Sequence, residues 1–94
     1  MSQPIGRPVS GARYVVERAE VSEESVVYRG LVRLPDADLP LEVTVALPGG
    51  AVRAVVQGDA AEHEKTAAAL IRAATKSAVT AKEELPRKVE RWRG

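Results

Sequence analysis

The hydrophobic period of the chain changes once, at Gly58 and Asp59, and this change most constrains the fold. Before it, β-branched residues alternate with polar ones in short stretches separated by turn residues, which is typical of β-strands. After it, apolar residues recur every three or four positions up to Leu85, which is typical of an amphipathic helix. The sequence therefore predicts an α+β domain in which the strands come first and one long helix packs on the sheet.

Four strands are expected in the first part of the chain. They cover residues 14–18 (with an extension to Val21 left open), 25–34, 41–47 and 51–57. The turns between them are too short for a parallel crossover, which needs a dozen or more residues, so the strands must form an antiparallel β-meander. Gly30 lies inside the second strand, where a glycine often marks a bulge or a sharp bend.

The helix is expected to begin at a capping box formed by Asp59 and Glu62 and to end at Pro86, which cannot continue a helix. Its apolar stripe comprises Ala67, Leu70, Ile71, Ala74, Ala78, Ala81 and Leu85. A helix of this length, at about 1.5 Å per residue, is longer than a typical strand. We therefore expect its C-terminal half to overhang the sheet.

The two ends of the chain differ from the domain between them. Residues 1–12 are rich in proline, glycine and serine and are predicted to be a mobile N-terminal arm, which leaves residues 13–94 as a single α+β domain. Residues 87–94 form a basic tail, and the sequence allows either a short helix or a strand there.

A single helix covers one face of a sheet, and the strand pattern leaves a second face that is also partly apolar. Its aliphatic residues are Val15, Val27, Leu31 and Val55. A contiguous patch of several hundred Å² is near the upper limit for a soluble monomer, and covering it contributes several kcal/mol at about 25 cal/mol per Å². We expect these four residues to form the interface of a homodimer. The alternative is a monomer whose sheet coils strongly at Gly30 and partly closes on itself.

Composition excludes several kinds of chemistry. The 94 residues include no cysteine and one histidine, so disulfides, thiolate metal sites and histidine clusters within one chain are excluded. No stretch is long and apolar enough to span a membrane, and the N-terminal residues lack the apolar region of a secretory signal, so we expect a cytoplasmic protein. We predict no catalytic, cofactor or metal residues and a non-enzymatic binding or assembly role, with a second copy or an unidentified protein as partner.

Three local patterns resemble functional sites but are better explained as a solvated helix residue and two turns. His63 has acidic neighbours at positions 62 and 64 but no nucleophile in a recognisable relation to it, so we expect a solvated helix residue. Asp36, Asp38 and Glu42 lack the central glycine of a calcium loop, and turn chemistry explains both aspartates. The stretch from Pro48 to Gly50 belongs to no phosphate-binding motif and is predicted to be a hairpin turn.

Basic residues concentrate toward the C-terminus and support an alternative function. From Arg72 onward, seven basic and three acidic side chains are present. Arginines around an aromatic residue are able to contact phosphates and stack a base. The alternative is therefore a protein that binds single-stranded DNA or RNA through Arg72, Lys76, Arg87, Lys88, Arg91, Trp92 and Arg93.

Overall fold

Five strands and one helix make up the domain in the computed structural model, which describes residues 11–58 and 61–93. They are β1 (Ala12–Val21), β2 (Ser25–Arg33), β3 (Asp38–Ala46), β4 (Val52–Val56), α1 (Ala61–Ala81) and β5 (Lys88–Arg93). All neighbouring strands are antiparallel, in the order β4-β3-β2-β1-β5. The predicted α+β class is confirmed, and the meander is followed by the helix as expected. The sheet has five strands rather than the expected four, because the basic tail, for which a helix and a strand were both open, forms a fifth strand after α1.

The fifth strand forms from the basic tail. Val89 lies opposite Val16 of β1 and is 2% exposed, which supplies the apolar contact that orders the strand. The segment before it is held by hydrogen bonds to the sheet: the Tyr28 hydroxyl donates to the Pro86 carbonyl at 2.6 Å, and the Arg18 guanidinium donates to the Leu85 carbonyl at 2.8 Å. Because proline cannot continue a helix, Pro86 favours this extended path.

The helix ends at Ala81, earlier than the proline suggests. Lys82 has a positive φ of 56°, and the Glu83 N–H donates to the Ala78 carbonyl at 2.8 Å. This is the hydrogen-bond pattern of a Schellman C-cap. Ala81 is exposed, and Leu85 is buried beyond the helix rather than on its stripe. Residues 1–10 of the predicted arm and the predicted cap Asp59 lie outside the described residues. Ala12, the last residue of the predicted arm, is the first residue of β1 and is buried.

One continuous core lies between α1 and one face of the sheet. Its buried residues are Ala12, Tyr14, Val16, Val26, Tyr28, Val32, Leu41, Val43, Val45, Val56, Ala67, Ile71, Leu85 and Val89. Ala78 and Val79 also pack against this core, so the expected overhang of the C-terminal half of the helix is wrong. Thr75 is buried on the same side of α1, where its hydroxyl donates to the Ile71 carbonyl at 2.8 Å.

The sheet is strongly coiled. A Cβ atom on Gly30 would lie 1.8 Å from the Val15 carbonyl oxygen, so only glycine permits this approach of β1 to β2. Of the bulge or sharp bend that the sequence allows at Gly30, the bulge lies instead in β1, where the register shifts between Arg18 and Glu20. His63 and Glu64 are consecutive residues of α1. His63 hydrogen-bonds to β1 and Glu64 hydrogen-bonds to β4, although β2 and β3 lie between these two strands in the sheet. The sheet therefore curves around one side of the helix.

Candidate functional site

The four predicted interface residues share the face of the sheet that points away from α1, which we call the open face. Val15, Val27, Leu31 and Val55 alternate along their strands with core residues, which places them opposite the helix. Strand register puts Val15, Leu31 and Pro40 side by side on β1, β2 and β3. Leu31 therefore lies at the centre of an apolar row that crosses the three middle strands.

Exposure increases from the centre of this face to its edges. Val15, Val27 and Leu31 are partly buried by their neighbours, whereas Val55 on the edge strand β4 is 48% exposed. Trp92 on the opposite edge strand β5 is 54% exposed. It pairs with Arg13 in the register, so it lies one row from Val15 on the same face. Large exposed apolar side chains therefore lie at both edges of the open face.

Trp92 is the open-face residue that sequence reasoning assigned elsewhere. The sequence places it among basic residues, and its face depends on whether the tail is a helix or a strand. β5 pairs with β1 so that Val89 faces the core. Because side chains alternate between the two faces along a strand, Trp92 lies on the open face. No local pattern in a segment of this length reveals that pairing.

The charged residues of the open face balance in number, and eight of the ten form ion pairs. Its five cations are Arg13, Arg29, Arg33, Arg53 and Lys88, and its five carboxylates are Glu17, Glu20, Asp38, Glu42 and Glu90. Arg29 bonds to Glu42 at 3.0 Å and also to Glu20, and these hydrogen bonds raise the pKa of its guanidinium. Arg13 bonds to Glu90 at 2.6 Å. The open face therefore has no excess of positive charge.

The seven residues of the predicted nucleic-acid surface are distributed over separate parts of the domain. Lys88 and Trp92 belong to the open face, whereas Arg91 and Arg93 lie on the opposite face of β5 with Val89. Arg87 precedes β5 and is exposed. Arg72 and Lys76 are exposed on α1, beside the turn that connects β3 and β4. The structure brings only parts of the set together.

His63 is not the solvated residue that the sequence predicts. Its side chain is only 20% exposed, and its Nδ1 atom is 3.0 Å from the Tyr14 hydroxyl, with which it forms a hydrogen bond. Burial raises the pKa of Tyr14, as does the charge of Glu62, while the nearby Thr66 hydroxyl and the charge of Arg93 oppose the rise. The contact fixes the first turn of α1 to β1. Sequence reasoning missed it because 49 positions separate the two residues.

The acidic residues considered for metal binding have other roles. Asp38 lies 3.7 Å from Arg33, and Glu42 bonds to Arg29. Asp36 is exposed in the turn between β2 and β3. In the part of the chain that the structure describes, no group of three or more side chains is arranged to hold a metal ion.

Comparisons with known proteins assign no relatives. No family model matches the chain, and neither a curated protein nor a solved structure matches it. Within residues 11–58 and 61–93, no helix is long and apolar enough to cross a membrane.

Proposed function

We propose that the chain is a non-enzymatic, cytoplasmic assembly module that forms a homodimer through its open face. The observation that supports this function is the placement of Trp92 and Val55, each about half exposed, at the two edges of a face whose centre is Leu31. Tryptophan is enriched among the residues that dominate binding energy in protein interfaces. The proposal assigns no catalytic, cofactor or metal residue.

A second copy is the partner that this face fits best. In a two-fold dimer the same patch meets itself, so the apolar row through Leu31 would lie against its own equivalent. Two sheet faces pack about 10 Å apart when their side chains interdigitate, and β-branched and leucine side chains suit this distance. Arg13, Arg29 and Arg33, which surround the row, already have carboxylate partners within the chain, and this reduces the number of unpaired charges that an interface would have to desolvate.

The test replaces the central residue of the open face. Leu31→Asp places a charge in the middle of the apolar row, and we expect it to convert the dimer to a monomer in sedimentation experiments. The matched control is Ser77→Asp, which adds the same charge on an exposed position of α1 and should leave the dimer intact. Equal masses for the two variants and the unmodified chain would contradict the proposal.

Nucleic-acid binding stays an alternative proposal with one observation in its favour. Arg91 and Arg93 lie side by side on the same face of β5, which suits contacts to successive phosphates. A protein that acts in this way should retain single-stranded oligonucleotides at low salt and release them steeply as the salt concentration rises. No retention at low salt would end this alternative, whereas it would leave the homodimer untouched.

A further inference from the structure

A groove of about 480 Å³ lies between α1 and the turn that connects β3 and β4, on the side of the domain away from the open face. Its lining residues are Gly49, Gly50, Ala69, Arg72, Ala73, Thr75, Lys76, Val79 and Thr80. Apart from the two basic residues, the lining is small or neutral. Backbone and short side chains therefore form the floor, and long cationic side chains form one wall.

Among the residues that the structure describes, the charge that lines this groove is positive. Arg72 and Lys76 are the charged residues of this part of the lining, and none of the described carboxylates belongs to it. Neither side chain forms an ion pair with any residue in the ranges 11–58 and 61–93, unlike Arg29 or Arg13 on the open face. Because they are four residues apart on a helix, they lie one turn from each other on the same side. Two neighbouring cations thus face one cavity without a carboxylate partner.

The wall opposite these cations is a turn held in place against the helix. The Gly50 N–H donates to the Ala46 carbonyl at 2.7 Å, which closes the hairpin. Gly50 has a positive φ of 78°, and a Cβ atom on it would lie 3.1 Å from Val79 Cγ1, so the turn packs directly on α1. Gly49 beside it is exposed, with open space where its Cβ atom would be. Glycine backbone therefore lines the groove on the side of this turn.

We propose that this groove binds the phosphate group of a small phosphorylated ligand. The planar guanidinium of an arginine matches the oxygens of a phosphate in a two-point contact, and a lysine one turn away supplies a second positive charge. Two cations balance the charge of a phosphate monoester, which is close to −2 at neutral pH. The glycine wall lets the ligand approach the backbone closely. This site is separate from the homodimer interface and does not depend on it.

The test is a titration of the ¹⁵N-labelled full chain with inorganic phosphate, with AMP and with an oligothymidylate, at constant ionic strength. We expect saturable amide shifts centred on Gly49, Gly50, Arg72 and Lys76 with phosphate and with AMP. The double variant Arg72→Ala/Lys76→Ala should weaken binding at least about tenfold, as expected for the loss of charge-assisted hydrogen bonds. Tighter binding of the oligothymidylate than of AMP at the same residues would overturn the assignment to a small ligand and would identify a polymer as the source of the phosphate.

Two further variants make the result specific to the groove. Lys65→Ala removes an exposed lysine from the same helix outside the groove and should bind phosphate like the unmodified chain. Ala73→Glu places a carboxylate in the groove at an exposed position and should abolish binding. Shifts that do not saturate, that spread over all basic residues, or that persist in the double variant would overturn the proposal.

Discussion

Gly30 in β2 and Val15 in β1 are so close that a Cβ atom on the glycine would lie 1.8 Å from the valine carbonyl oxygen. The neighbouring atom is backbone, so neither strand can yield without breaking the pairing at the centre of the sheet. We expect Gly30→Ala to lower the free energy of unfolding by more than about 3 kcal/mol, at or beyond the upper end of overpacking penalties.

Gly49→Ala is the matched control for this prediction, because nothing lies within 4 Å of a Cβ atom at that position. It should change the free energy of unfolding by no more than about 0.5 kcal/mol. Urea denaturation of both variants makes the comparison. Similar values for the two would show that β1 and β2 do not approach each other as described.

The hydrogen bond between Tyr14 and His63 should couple the contributions of these two residues to stability. A double-mutant cycle with Tyr14→Phe and His63→Ala should give a coupling of about 1 kcal/mol, which is typical of a partly buried hydrogen bond. Urea denaturation of the four proteins in the cycle measures it. A coupling indistinguishable from zero would mean that the contact does not anchor α1 to β1.

Glu64 should protect the Val56 amide, at the edge of the sheet, from hydrogen exchange. Its Oε2 atom accepts the outward-pointing N–H of Val56 at 2.8 Å, on a strand whose edge is otherwise available for pairing. Glu64→Ala should accelerate hydrogen exchange of the Val56 amide roughly fivefold, equivalent to about 1 kcal/mol. Glu62→Ala, whose carboxylate is 88% exposed, serves as the control and should leave that amide unchanged. An equal effect of the two variants would rule out this role.

The ion pair between Arg18 and Glu84 should make stability depend on pH. The hydrogen bond and charge of Arg18 lower the pKa of the Glu84 carboxyl below its ordinary value of 4.5. A carboxyl group whose pKa is lower in the folded state than in the unfolded state stabilises the fold at pH values above its unfolded-state pKa. This contribution disappears as the pH falls through the folded-state pKa. The stability difference between the unmodified chain and Glu84→Gln should therefore be largest near neutral pH and shrink in acid.

Thermal melts over the acid range measure this difference. Glu83→Gln is the control, because the Glu83 side chain forms no ion pair with the described residues 11–58 and 61–93. It should show a small and nearly constant effect across the same range. A Glu84→Gln effect that stays constant or grows as the pH falls would contradict the lowered pKa.

The parts of the fold that follow from local patterns were predictable. Alternation along residues 41–47 identified β3 and its two faces, and the three- and four-residue spacing around Ala67 and Ile71 identified the buried side of α1. The structure starts β3 earlier, at Asp38, and includes Pro40 within the strand. The missing N–H of Pro40 is tolerated because it lies opposite Gln57, beyond the end of β4.

The parts that depend on distant contacts were not predictable. β5 exists because Val89 packs beside Val16, and nothing within the tail itself decides between a strand and a helix. The contact between His63 and Tyr14 likewise depends on how the sheet curves. The open face was predictable from alternation, but the position of Trp92 on it required the register of β5. Long-range pairing therefore determined the features that sequence reasoning missed.

The most direct test of the proposed assembly is the mass of the unmodified chain by sedimentation equilibrium over a range of concentrations. If a second copy covers Val15, Val27, Leu31, Val55 and Trp92, the mass should approach twice the 10.1 kDa of one chain as concentration rises. A mass that stays at 10.1 kDa at the highest concentration would contradict the homodimer.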